Sequence, residues 1–502
     1  MKLTAIAACV ATLFAGVATA NTCAVIEDVA PSIEVRYKLH PEYTSTSNDY
    51  WSTACAKLDP SCVVFPESPH DVAAILEILG RQNNTDRFAI KSGGHNPNVE
   101  WSSVDEGPLI STEKLDQVIL DEGSGIVRIG PGLRWDAVAD ALDGSGWSVV
   151  GGRIGNVGVG GYMLGGGLSF MSQQYGWAAS SLIDVELVTP NGTIVTASAD
   201  EHPDLFRALK GGGNNFGVVT SYTVQAYRQD DIYGGTVFFP RKPDTDELML
   251  QAIQDFTRYN KDEKAAIIPT AEYTGGGILD GWIVFFFYNG PEPPESTFTN
   301  FTSIPHLTDT RKTQSFASLV NANNFFVLRG SVYLIGTETI PLPTDPASDM
   351  ASEFLPQVHE RWRNVTLGEK FVSGVIGSIA YQPFPRRIAQ LARAMGGDLM
   401  DFDDDVDRII IELNYSFFLQ LDYERMSAAM EAAFGGIREI VVDGQEEGAL
   451  PDAYLPLFSN DAFHTQDYYA RLRPENAELA KTLADELDPE GLFKERTGGW
   501  KP

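Results

Sequence analysis

A chain of 502 residues with 37 basic and 68 acidic side chains carries a formal charge of −31, which excludes nucleic acid and an anionic membrane surface as natural partners. That length is too great for one ordinary hydrophobic core, so at least two domains are expected. The seven histidines form no His-x-x-x-His pair and the four cysteines lack metal-ligand spacing, so no metal site is expected.

In chain order, Met1–Ala20 has one cation at Lys2, an apolar core and Ala18-Thr19-Ala20 before Asn21. That pattern reads as a secretory signal peptide, too short to span a bilayer. A secreted, soluble mature protein is expected. Sequons at Asn83, Asn191, Asn300 and Asn364 could carry glycans, whereas Asn414, at the end of the run Ile409-Ile410-Ile411-Glu412-Leu413-Asn414, is the least suitable acceptor. Cys9 leaves with the signal peptide, and Cys23, Cys55 and Cys62 allow one disulfide and one free thiol.

Pro69–Leu79 reads as an amphipathic helix with Val72, Ile75, Leu76 and Leu79 on one face. Arg87–Ile90 is a short apolar strand that runs into the loop Lys91-Ser92-Gly93-Gly94-His95-Asn96. Strand and short-helix patterns alternate through Gly125–Ile129, Trp135–Leu142 and Asp184–Val188, the last returning over Pro190-Asn191-Gly192 as a hairpin. Between them lies Gly151–Gly167, with nine glycines in 17 residues. Its neighbours are small or apolar, unlike those of a flexible Gly/Ser linker. Glycine here lets backbone N–H groups approach a flat or anionic ligand closely. The stretch is neither the Gly-x-Gly-x-x-Gly dinucleotide loop, since Met163 falls on the third glycine position, nor a P-loop.

Further on, Leu205–Lys210 leads into Gly211-Gly212-Gly213-Asn214-Asn215-Phe216-Gly217 and then Val218–Ala226. From about Arg228 the texture changes to aromatic strands, Thr236–Phe239 and Trp282–Phe287. Helical windows follow at Leu248–Tyr259, Ala351–Trp362, Arg387–Ala394 and Glu424–Phe434. An antiparallel sheet with helices over one face is expected. A last helix, Arg473–Leu487, closes the chain. The reading is an α+β protein with a first domain over 21–228, a substrate domain over 229–445, and a segment over 446–502 that returns to the first.

The Lys91–Asn96 loop, the Gly151–Gly167 stretch and Gly211–Gly217, in this order and at these separations, resemble the flavin domain of the vanillyl-alcohol oxidase superfamily (PCMH-type FAD-binding domains). Within it they are most similar to the berberine-bridge-enzyme-like FAD oxidases of the secreted fungal branch. The resemblance implies FAD as cofactor. The matching positions that would contact it are Lys91, Ser92, Gly93, Gly94, His95 and Asn96, then Gly152, Arg153, Ile154, Val157, Gly158, Gly160, Gly161, Gly165 and Gly166, then Gly217, Val218 and Val219, and finally Asn460. It further implies a Cys23–Cys62 disulfide and a covalent bond from His95 to the flavin. Such a bond raises the flavin's reduction potential. Many relatives add a second link from a cysteine, but Ile154 stands there, so one bond is expected. Tyr162 replaces a histidine that relatives place near the flavin. In relatives the residue matching Val157 gates oxygen.

Alcohol oxidation needs a base for the hydroxyl proton. Many relatives use a Tyr-x-Asn-Tyr motif, but the matching run here is Phe458-Ser459-Asn460-Asp461. Asp461 or Tyr454 is the candidate base, with Tyr381 and Gln382 as candidate pocket residues. The implied function is a secreted, monomeric oxidase. It passes hydride from an alcohol, carbohydrate or phenolic substrate to FAD and reduces O2 to hydrogen peroxide. Two alternatives share these motifs, a dehydrogenase that refuses oxygen and a weakly active flavoprotein retained as a binding protein.

Overall fold

The protein's structure, a computed structural model, is described for residues 21–502, the side chain of Asp349 excepted. The predicted signal peptide therefore lies outside the described residues. The fold is α+β and is built on three sheets. In the first, Glu34–Arg36, Cys62–Phe65, Pro108–Ser111 and Ala89–Lys91 lie in that order, the last three mutually parallel. Helix Pro69–Leu79 packs beside it and begins as its sequence dictates: Ser68 Oγ accepts from Asp71 N, with Pro69 at the first helical position. Val72, Ile75, Leu76 and Leu79 are all buried. Cys23, on the helix Thr22–Val29, is bonded to Cys62 across a Cα–Cα distance of 6.1 Å.

The second sheet is antiparallel, in the order Val118–Asp121, Ile126–Ile129, Val218–Arg228, Leu182–Val188 and Ile194–Ser198, with Trp147–Val149 also paired to Val218–Arg228. The expected hairpin is present, Val188 facing Ile194.

The third sheet has eight antiparallel strands, including Ile232–Pro240, Asp280–Tyr288, Ala265–Thr274, Ile376–Phe384, Arg408–Phe417 and Val332–Pro341. Its apolar runs are continuous because both faces are covered. Trp282, Val284 and Phe286 meet the helices Thr245–Tyr259, Asp349–Gly368 and Tyr423–Glu446. Phe285 and Phe287 point the other way, against Phe170 and Met171, which follow the glycine-rich stretch. The site described below sits on this second face.

The helix Tyr423–Glu446 outruns its predicted end at Phe434 because Gly435-Gly436 is not a stop. A Cβ on Gly436 would collide with the Arg361 side chain, so the glycine admits the neighbouring helix. The chain end packs on the Gly211–Gly217 loop. Tyr468 and Tyr469 donate their hydroxyls to Gly211 O at 2.8 Å and Gly212 O at 3.0 Å.

Candidate active site

Two glycine loops interlock. The strand Ala89–Lys91 delivers Ser92 and Gly93 against Gly158, where a Cβ on Gly93 would stand 2.5 Å from Gly158 Cα. Ser92 Oγ donates to Pro131 O at 2.6 Å and accepts from Gly160 N at 3.2 Å. Gly158 caps the short helix Val159–Leu164, whose Gly160 carbonyl accepts from Tyr222 Oη at 2.9 Å. Asn460 ties the C-terminal segment to the same turn. Its Oδ1 accepts from Gly167 N at 3.1 Å and its Nδ2 donates to Gly161 O and Tyr162 O, both at 3.3 Å. Since neither backbone can retreat, Gly158→Ala is expected to cost about 1–3 kcal/mol by overpacking. A lower melting temperature and a smaller flavin-to-protein absorbance ratio would register it.

The loops enclose one side of a cavity of about 330 Å³. Of the positions expected to hold a cofactor, Ser92 to Asn96, Gly152, Arg153, Ile154, Val157, Gly158, Gly160, Gly161, Gly165, Gly217, Val218, Val219 and Asn460 line it. Lys91 does not; its ammonium lies over the Tyr50 ring, 5.1 Å from the centroid. Gly166 also turns away, toward Met400 and Trp177. His95 is half-buried, stacked at 4.5 Å on Trp51, and its Nε2 is buried without a partner. Burial, with Arg134 and Arg329 nearby, pushes its pKa down to about 3, so the imidazole is neutral. A buried polar atom without a partner, in a cradle that side chains would fill, fits a bound group such as FAD.

A buried polar cluster also opens on the cavity. Asp461 and Glu412 both line it. Arg153 donates to Gln382 Oε1, Gln382 Nε2 donates to Asp461 Oδ2 at 2.9 Å, and Asn414 Nδ2 donates to Glu412 Oε1 at 2.5 Å. Burial raises Asp461 well above the usual carboxylate range, and the charge of Glu412 adds to it. Burial likewise raises Glu412, against the pull of Arg153. Two such carboxyls beside one guanidinium hold a proton between them more readily than either would alone.

The expected catalytic residues divide accordingly. Asp461 and Gln382 are in the cluster. Tyr162 lines the cavity, but its hydroxyl is donated to Gly151 O at 3.0 Å. Tyr381 is a correction: side chains alternate across a strand, so next to inward Gln382 it points into the helix-covered core, 3.2 Å from His359 Nδ1. Tyr454 is a second correction, since its ring is held by the Arg473 guanidinium at 4.2 Å and lines neither large cavity. Glu412 and Trp51 were not anticipated. An acid within Ile409–Leu413 was the available signal for Glu412, whereas Trp51 precedes every motif and gave none. Asn83, Asn191, Asn300 and Asn364 are exposed, and Asn414 lies within the sheet.

Fold and site together define a flavin-dependent oxidoreductase. An FAD binding domain family matches residues 60–198. An uncharacterized FAD-linked oxidoreductase of Arthroderma benhamiae is 38% identical over 97% of this chain and 96% of its own length. The FAD-dependent monooxygenase FUP4 of Fusarium proliferatum is 30% identical over 90% of this chain and 86% of its own length. In fold, the chain is similar to 6-hydroxy-D-nicotine oxidase from Arthrobacter nicotinovorans, with a TM-score of 0.76 at 20% identity, covering 93% of this chain and 97% of that one. The chain belongs to the FAD-linked oxidoreductase family, on the fold of the berberine-bridge-enzyme-like oxidases.

Proposed function

We propose that the mature protein is a secreted, monomeric oxidase that carries FAD bonded to His95 alone and oxidises an alcohol carbon. Residues 21–228 and 446–502 would hold the FAD, and 229–445 the substrate. The observation that carries this reading is the Glu412–Asp461 pair opening on the same cavity as His95, whose Nε2 is buried without a partner. The flavin, when bound, supplies the two-electron sink. Glu412 takes the hydroxyl proton, because it faces the cavity and, among the described residues, has only Asn414 as a side-chain hydrogen-bond partner. Asp461, positioned by Gln382 and through it by Arg153, shares that proton and keeps it from being released into an apolar wall. In sum, the substrate's C–OH loses two hydrogens to become a carbonyl and O2 gains them as hydrogen peroxide. Peroxide release over a panel of alcohols, sugars and phenols tests the reading. A carbonyl product without stoichiometric peroxide would make the protein a dehydrogenase.

Val157 supports the oxygen step. It lines the cavity among Gly155, Gly158 and Gly160, none of which adds a side chain. Leucine there adds one methylene to a close-packed wall. Val157→Leu is expected to slow reoxidation of reduced enzyme by air about ten-fold or more, leaving anaerobic reduction by substrate nearly unchanged.

A further inference from the structure

A second cavity, of about 780 Å³, adjoins the first, and Trp51 lines both. It occupies the same face of the eight-stranded sheet. Along the strand Arg408–Phe417, Glu412 faces the first cavity while Asn414 and Ser416 face the second. Much of its wall is aromatic or aliphatic, including Tyr333, which stacks on Trp51 at 4.2 Å.

This wall contains a single carboxylate, that of Glu272. Its neighbours Ala271 and Tyr273 point into the helix-covered core, so alternation turns Glu272 to the cavity. The register sets Glu272 opposite Ser378 and Ser378 opposite Asn414, two strand spacings or about 10 Å across the sheet from the strand that bears Glu412. Among the described residues Glu272 has no hydrogen-bond donor and no ion-pair partner. Lys312, on the rim of the same cavity, makes no ion pair with it. Burial alone raises its pKa. Its charge is felt at Tyr333, whose phenol is pushed up by burial first and by Glu272 as well. A partly buried acid beside aromatic faces, with nothing to neutralise it, is costly unless a ligand brings the opposite charge.

We propose that the second cavity binds the substrate, that the substrate is an aromatic molecule bearing a protonated amine, and that Glu272 selects it. The proposal rests on the reading of Glu412 and Asp461 given above. Hydroxyl and amide side chains in this wall, among them Thr236, Ser318, Asn323 and Ser378, could meet the hydroxyls of an oligosaccharide, but a neutral sugar brings no charge to Glu272. A neutral phenol would leave the carboxylate without counter-charge. An ammonium satisfies Glu272 and gains from the faces of Tyr333 and Trp51, and the acidic chain draws cations toward it. One carboxylate is too small a donor set for a metal ion, and no group of three or more candidate ligands occurs among the described residues.

Calorimetry on the flavin-loaded enzyme without oxygen tests this with tryptamine, its neutral alcohol analogue tryptophol and N-acetyltryptamine. Wild type is expected to bind tryptamine about ten-fold or more tighter than either neutral probe. Glu272→Gln is expected to abolish that margin and to leave tryptophol binding within about two-fold. Equal binding of the three probes, preference for a neutral one, no binding of any, or a margin that survives in the variant overturns the proposal. The wild-type comparison with N-acetyltryptamine decides the matter even if the variant is unstable. Because binding is read without turnover, a failure of the Glu412 assignment would show in the rate of flavin reduction and leave these affinities untouched.

Discussion

Glu412→Gln is expected to slow flavin reduction by substrate about 10²–10⁴-fold, the range for loss of a general base, with flavin content and melting temperature little changed. Glutamine keeps the shape of the side chain and can still meet Asn414, but it cannot accept the proton. Asp461→Asn is expected to lower the same rate by a smaller factor, since Asn can keep a contact with Gln382 while the shared proton is lost. The double variant should fall little below Glu412→Gln, because residues that act as a unit are not additive. The pH profile gives the sign. Glu412 must be ionised to accept a proton, and burial raises its pKa against the pull of Arg153 and Asn414, so the rate should climb with pH through a value above the usual carboxylate range. A Glu412→Gln enzyme that reduces its flavin at the wild-type rate would remove Glu412 from the chemistry.

His95→Ala is expected to abolish covalent flavin outright, so that denatured protein no longer fluoresces on a gel. Some FAD should remain bound in the native state, because Gly93, Gly158, Gly160, Val218 and Asn460 still line the cavity. Without the bond the flavin's reduction potential should fall. Each 30 mV lost is about a ten-fold change in the equilibrium of a two-electron couple, and the rate of substrate oxidation should follow it down. The imidazole is prepared for bonding by the enclosure that holds it neutral, its pKa near 3, and by the Trp51 ring that fixes its plane. Flavin fluorescence persisting in the denatured variant would place the attachment elsewhere.

The loops that enclose the cavity were legible because glycine at close backbone approaches is dictated locally: Gly93 and Gly158 touch where no Cβ fits. The helix Pro69–Leu79 was legible for a similar reason, with its cap, first proline and apolar face all in consecutive residues. The catalytic side was harder to read. Tyr381 and Gln382 are adjacent in sequence, and only the sheet decides which of them faces the cavity. Tyr454 was chosen by nearness to Asp461 in the chain, yet the structure spends it on Arg473. Glu412 looked like part of a buried strand, which it is, but its partners Asp461 and Arg153 come from segments 49 and 259 residues away. The strands Ala265–Thr274 and Val332–Pro341 were not singled out, since a strand covered on both faces loses the polar alternation that announces it.

A peptide map of the purified, denatured wild-type protein is the most direct test that this cavity, closed by these loops, is the flavin site. The expected result is FAD mass on the peptide that contains His95, on no other peptide, and none on the one that contains Ile154. Flavin released quantitatively into the supernatant on denaturation, or found on a residue that does not line the cavity, would contradict it.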